Sequence, residues 1–164
     1  MATETYRVRL EKEYLVFSAA HFITFAGNVC ERLHGHNYRV AAEVEGPLDE
    51  NAYVVDFILL RDTLKTLVDE LDHRMLLPTQ HTQIKVTADD REVTATFADR
   101  RWVFPRGDCI LLPVPNTTAE KLAQYLGEKL RAALAAKVTT PLVLVRVAVD
   151  ECDGQWGEWI WRKN

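Results

Sequence analysis

The sequence predicts an α+β fold: an antiparallel sheet of four strands with two helices on one face. Three observations predict it. Residues 36–45 alternate, with Tyr38, Val40, Ala42 and Val44 on one parity and Arg39, Glu43 and Glu45 on the other, as in a half-buried strand. Two stretches, Leu59 to Leu71 and Leu122 to Leu134, repeat apolar residues at helical spacing and so present one apolar face each. The elements also run strand, strand, helix, helix, strand, strand, a segregated order that suits helices laid on an antiparallel sheet.

Taken in order, Tyr6, Val8 and Leu10 alternate with Arg7, Arg9 and Glu11, which predicts a strand over 5–18. The parity shifts around Tyr14, Val16 and Ser18, the mark of a bulge or bend. Val16 to Ala20 lead into His21, and residues 22–33, with Gly27, Asn28 and Cys30, read as a loop before the strand 36–46. Gly46-Pro47 and Asp49-Glu50-Asn51 mark a turn. Asp56 is placed to cap the first helix. Residues 82–112 read as an inserted hairpin, Gln83–Thr87 and Glu92–Phe97 about a turn at Ala88–Asp90, followed by a connection. Its cluster of Arg100, Arg101, Trp102, Phe104 and Arg106 suits an amphipathic surface, a phosphate tail or a neighbouring subunit. Thr117 and Glu120 have capping-box spacing at the start of the second helix, and Pro141 stops it. Leu142–Val149 is a β-branched strand, and Gln155–Trp161 returns after a turn at Cys152-Asp153-Gly154, with Trp156, Trp159 and Trp161 for packing.

The chain has 164 residues, 48% hydrophobic and 27% charged, which suits one domain over 1–164 with its own core. A net charge of −4 offers no basic footprint, so no nucleic-acid partner is expected. No apolar run reaches membrane-span length, so no membrane partner is expected, and the start lacks the apolar region of a signal peptide. Three cysteines, Cys30, Cys109 and Cys152, are an odd number without framework spacing, which favours reduced thiols and a cytoplasmic location.

The chemistry concentrates in Cys30-Glu-Arg-Leu-His34-Gly-His36-Asn-Tyr38, together with His21. In an extended backbone His34 and His36 share a face. His21 would complete a three-imidazole zinc site with one position open, the pattern of a catalytic centre. Cys30 either closes that site as a fourth, structural ligand or, beside the cation, becomes a thiolate base. In Asp72-His73 the carboxylate orients the imidazole for proton transfer, or the histidine simply satisfies carbonyls at a helix end. Glu151 follows the strand 142–149 as a possible bidentate acceptor or as turn-entry charge beside Asp150.

Phe17-Ser-Ala-Ala-His21, Cys30-x-x-x-His34-Gly-His36-Asn-Tyr38, Val55-Asp56-Phe57, Leu71-Asp72-His73 and Asn116-Thr-Thr-Ala-Glu120 resemble, in this order, the 6-pyruvoyl-tetrahydropterin synthase / 6-carboxytetrahydropterin synthase family. The resemblance implies the tunnel fold, in which sheets from three subunits close a barrel and two trimers stack, so a homotrimer or homohexamer is expected. It implies Zn2+ on His21, His34 and His36, a relay of Cys30, Asp72 and His73, and a pterin held by Glu151 with polar contacts from Thr117 and Thr118. Cys152 follows Glu151 where the family often has threonine. The implied substrate is 7,8-dihydroneopterin triphosphate. The spacing Cys-x-x-x-His-Gly-His resembles the bacterial branch that makes 6-carboxy-5,6,7,8-tetrahydropterin, with acetaldehyde and triphosphate as co-products, on the way to queuosine. Two alternatives are a 6-pyruvoyl-tetrahydropterin synthase, which eliminates triphosphate and keeps the side-chain carbons, and a noncatalytic zinc- or pterin-binding module.

Overall fold

The structure, a computed structural model, describes residues 4–27 and 29–164; Met1–Thr3 and Asn28 lie outside the described residues. β1 (Tyr6–His21) leads through two short paired strands, β2 (Thr24–Phe25) and β3 (Val29–Cys30), into β4 (His34–Gly46). The pairing of β1 with β4 is antiparallel from Tyr6–Gly46 to His21–His34, with a break in register between Glu11 and Val16. The bulge expected from the parity shift is therefore present. It turns the buried parity of the first half onto the residues Leu15, Phe17, Ala19 and His21 of the second.

α1 (Phe57–Asp69) starts at Asp56, whose carboxylate accepts from the Ile58 N–H at 2.8 Å, as the sequence predicts. Its Leu60, Leu64 and Val68 are buried. Next comes β5 (Arg74–Pro78), a strand the sequence reading passes over, which runs parallel to β1 at Ala19 and Ala20. β6 (Lys85–Ala88), β7 (Glu92–Phe97) and β8 (Arg100–Pro105) form a three-stranded antiparallel meander, and β9 (Cys109–Leu112) then pairs parallel to β5. α2 (Ala119–Ala135) precedes the hairpin of β10 (Leu144–Asp150) and β11 (Trp156–Arg162).

The α+β class holds, with two corrections. The main sheet is six-stranded and mixed, in the order β11-β10-β4-β1-β5-β9, rather than four-stranded and antiparallel. The stretch 82–112 is a meander plus a sheet strand rather than a hairpin plus a connection. Short apolar runs such as Arg74–Pro78 and Cys109–Leu112 show no alternation because both of their faces are covered, and periodicity cannot detect them. The capping box also fails to form: Thr118 is the N-cap residue of α2 and makes no side-chain cap bond.

Two apolar clusters lie on opposite faces of β1. Phe17 and Ala19 join Tyr38, Val40, Val147 and Val149 beneath α1 and α2. Ala20, of the other parity, packs with Phe22, Met75, Leu77, Ile84 and Val93 beneath the meander. Nearer the other end of the sheet, the face away from the helices carries ion pairs instead. Glu43 and Glu45, nearly buried, are matched by Arg7, Arg146 and Arg162. Helix and hairpin meet closely at Gly157, where a Cβ would stand 2.6 Å from the Glu120 nitrogen and 2.7 Å from the Ala119 carbonyl carbon. Both are backbone atoms, so no rotamer change relieves the clash. Gly157→Ala is expected to cost about 1–3 kcal/mol, read as a lowered midpoint in urea with the same far-UV circular dichroism.

Candidate metal centre and active site

The antiparallel register sets His21 directly opposite His34, and His36 opposite Ala19. All three imidazoles fall on the helix-covered parity, at the end of the core beyond Phe17 and Tyr38. Their ring centroids are 4.8, 5.3 and 4.9 Å apart, and one nitrogen from each lies within 4.8 Å of the others. The strand geometry expected from His-x-His thus brings the predicted trio together.

Two backbone carbonyls set the tautomers. His21 Nδ1 donates to the Thr117 carbonyl at 2.9 Å, and His34 Nδ1 donates to the Arg32 carbonyl at 2.8 Å. Each Nε2 is then a bare lone pair. His21 is 1% exposed and its Nε2 makes no hydrogen bond. Burial lowers its pKa to about 4, so the ring is neutral near pH 7. Two imidazoles whose Nε2 lone pairs are oriented by backbone carbonyls, one of them buried without a partner, together with the neighbouring His36 ring fit a divalent metal. Two carboxylates stand close by. Glu151 Oε1 is 3.4 Å from His21 Nε2 and 3.9 Å from His36 Nε2, and Glu31 Oε2 is 3.8 Å from His34 Nε2. Burial raises the pKa of Glu151, and His36 opposes that.

Cys30 lies outside the trio, in the β2–β3 hairpin, partly buried against the cluster under the meander. Burial raises its thiol pKa, and the Arg100 guanidinium pulls it down. Asp72 and His73 do pair, Nδ1 to Oδ2 at 2.8 Å. The other Asp72 oxygen accepts from the Ser18 N–H at 2.7 Å, and the His73 N–H donates to the Ser18 carbonyl at 2.7 Å. These bonds hold His73 in the left-handed region at φ 55°, a conformation that needs such support. His73 is exposed in a cleft of about 550 Å3 whose lining includes Ser18, Ala20, Gly35 and Asn37 and also the trio histidine His36. The dyad is thus anchored on Ser18 of β1, in a cleft that His36 also lines.

Thr117 is fully buried. Its carbonyl orients His21, and its hydroxyl donates to the Phe22 carbonyl at 3.4 Å. Thr118 caps α2 and is half-buried. Three residues at the site escaped the sequence reading. Glu31 stood unassigned beside Cys30. Arg100 was seen only as part of a basic-aromatic cluster. Tyr38 closes the histidine motif with no role assigned from sequence, and its ring lies edge-on to His21 and His36. The i,i+3 spacing of Glu31 to His34 was the available signal for the first.

A three-histidine centre at the end of a strand ladder, with an acid-imidazole dyad held on the same strand at Ser18, defines a metal-site enzyme on an α+β scaffold. The family model for 6-pyruvoyl tetrahydropterin synthase matches residues 9–159. The chain belongs to that family, whose members are lyases, as the resemblance implied. A Methanocaldococcus jannaschii relative with the provisional name 6-carboxy-5,6,7,8-tetrahydropterin synthase is 32% identical over 142 residues, 86% of each chain. The Haemophilus influenzae 6-carboxy-5,6,7,8-tetrahydropterin synthase is 27% identical over 75% of this chain and 82% of its own. Among solved structures, the Plasmodium vivax 6-pyruvoyltetrahydropterin synthase, in a form altered at a glutamate described as a catalytic residue, superposes with a TM-score of 0.89 at 26% identity. That match covers 98% of this chain and 100% of the other.

Asp72 has a pKa below the usual carboxylate range, chiefly through the Ser18 N–H and then through His73. A lowered folded-state pKa contributes stability above the ordinary carboxylate pKa and loses it as pH falls through the folded value. Asp72→Ala is expected to cost about 1–2 kcal/mol at pH 7. In urea titrations, the gap between variant and wild type closes as pH is lowered toward 3.

Proposed function

We propose that the protein is a zinc-dependent lyase converting 7,8-dihydroneopterin triphosphate and one water to 6-carboxy-5,6,7,8-tetrahydropterin, acetaldehyde and triphosphate. The observation that carries this reading is the trio of His21, His34 and His36, one nitrogen of each within 4.8 Å of the others, with the tautomers of His21 and His34 set by the Thr117 and Arg32 carbonyls. Zinc, when bound, supplies a Lewis acid that polarises side-chain oxygens of the substrate and acidifies the adjoining C–H bonds. The remaining work falls to the chain's own residues. Cys30 removes the carbon-bound proton as thiolate. His73, oriented and made more basic by Asp72, carries protons to and from the side-chain oxygens. Glu151 accepts the paired N–H donors of the pterin edge, and Thr117 and Thr118 frame the ring from the start of α2.

Among the described residues no hydrogen bond joins the dyad to the trio, and we assign the working site to two copies of the chain, one supplying the trio and the other the dyad. The sheet has edges suited to such an assembly. β11 is an outer strand, and β5 covers β1 only at Ala19 and Ala20, which leaves residues 6–16 of β1 with one side open. Open edges are stabilised by pairing with another copy, which favours the trimer or hexamer of a closed barrel. The three cysteines are unpaired, which suits a cytoplasmic setting, and no described helix is long and apolar enough to cross a membrane. Deazapurine nucleoside synthesis, the route to queuosine, is the pathway we assign.

A second reading, triphosphate elimination to 6-pyruvoyl-tetrahydropterin, is favoured by the name of the matching family and by Glu31. The Plasmodium vivax enzyme has a glutamate named as catalytic, and here the Glu31 carboxylate stands at the trio beside Cys30. Zinc-loaded protein incubated with dihydroneopterin triphosphate is expected to yield the carboxypterin and acetaldehyde. A pyruvoyl product without acetaldehyde selects the second reading, and binding without turnover makes the chain a pterin-binding module. Cys30→Ala is expected to lower kcat at least ~100-fold, and chelation to abolish turnover until zinc is restored. Mixing and reannealing the Cys30→Ala and His73→Ala proteins, each inactive alone, is expected to recover part of the activity if two copies share a site. No recovery would confine the site to one chain.

A further inference from the structure

The stretch 82–112 has no part in the chemistry above, yet one of its side chains reaches the candidate base. Arg100, at the start of β8, donates from Nη1 to the carbonyl of Cys30 at 2.8 Å. The guanidinium lies over the Trp102 indole, 4.6 Å from the ring centroid. Trp102 in turn stacks on Phe22, with centroids 4.4 Å apart and planes 21° from parallel. Phe22 is fully buried and directly follows His21. Guanidinium, indole and phenyl thus form one column between the strand that carries a trio histidine and the hairpin that carries the thiol. The other strand of that hairpin is tied separately, by the Asn116 amide to the Thr24 carbonyl at 3.0 Å and by His81 Nε2 to Thr24 Oγ1 at 2.7 Å.

We propose that Arg100 is a positioning residue for the lyase reaction: the meander holds it so that it locks Cys30 at a set distance from His21 and keeps a positive charge beside the thiol. The inference rests on the reading of Cys30 as the base. Stacking on Trp102 costs Arg100 part of its hydration and restricts its rotamers, so its hydrogen bond to the carbonyl loses little further entropy. Position and charge act together here. A hairpin free to tilt would move the sulfur, and misplacement of a reacting group by about 1 Å is costly to rate. Burial, and after it Glu31, raise the thiol pKa, and Arg100 is the neighbour that works against that rise without reversing it.

The test compares wild type with Arg100→Met, which removes charge and donors while keeping most of the stem. Arg100→Lys keeps the charge and one donor, and it serves as the folded comparison if the methionine variant is unstable. Alkylation of Cys30 by iodoacetamide, followed at that peptide by mass spectrometry across pH, reads the thiol directly in the zinc-loaded enzyme. In Arg100→Met the alkylation midpoint is expected to rise by about half a pH unit or more. kcat is expected to fall at least ~10-fold with KM within about twofold, and lysine should restore part of both. An unchanged Cys30 midpoint in both variants overturns the inference whatever happens to turnover, as does a change confined to KM, which would make Arg100 a substrate contact. Cys30→Ala, assayed in parallel, separates the two ideas. If it turns over normally, the role of Cys30 as base falls, while the alkylation profile still judges Arg100.

Discussion

The site depends on the hydrogen-bond register of β1 against β4. Beyond the irregularity between Glu11 and Val16 the ladder resumes at Val16–Arg39 and runs to His21–His34. A slip of one residue would turn His21 to the meander face and leave His34 and His36 without a third nitrogen. Register is held by the parity of burial: Phe17 and Tyr38, stacked with centroids 4.7 Å apart, fill the end of the helix-covered core just before the histidines begin. The last layer of the core and the first layer of the site are thus one packing problem, solved by the same strands.

Electrostatics then divides the two faces of the sheet. On the helix side, His21 is kept neutral by burial, and Glu151 stands 3.4 Å from His21 Nε2 and Glu31 3.8 Å from His34 Nε2. Imidazole nitrogens with carboxylates beside them are a donor set that suits a divalent cation. On the other side, Glu43 and Glu45 are almost as buried as His21, yet each is matched by arginines from neighbouring strands. One set of buried polar groups is complete within the chain and the other is not, and the incomplete one marks the functional end.

The meander supplies a third constraint. It covers the far face of β1 beside the dyad's cleft, buries Phe22 and Met75, and reaches the β2–β3 hairpin through Arg100. The dyad in turn hangs on Ser18, whose N–H goes to the Asp72 carboxylate immediately before β5 begins to pair with β1. Trio, hairpin and dyad are therefore all referred to one segment, residues 17–22 of β1, although they come from separate parts of the chain.

Local pattern alone settled a good deal. Alternation placed His34 and His36 on one face, the parity shift near Tyr14 announced the bulge, Asp56 read as a cap, and helical spacing located both helices; each depends on a few neighbouring residues and a fixed period. The motif order resembled a pterin synthase family before any coordinates, and the family match agrees. The covered strands β5 and β9 were not legible, because strands buried on both faces lose their alternation. Nor was the conversion of the 82–112 stretch into a sheet-bearing meander. The choice of Thr118 over Thr117 as cap, the use of the Thr117 carbonyl to orient His21 from 96 residues away, and the anchoring of Asp72 and His73 on the Ser18 backbone were decided only in three dimensions. Each of these depends on which distant backbone groups come within hydrogen-bond range, and that is set by how whole layers pack rather than by any short run of residues.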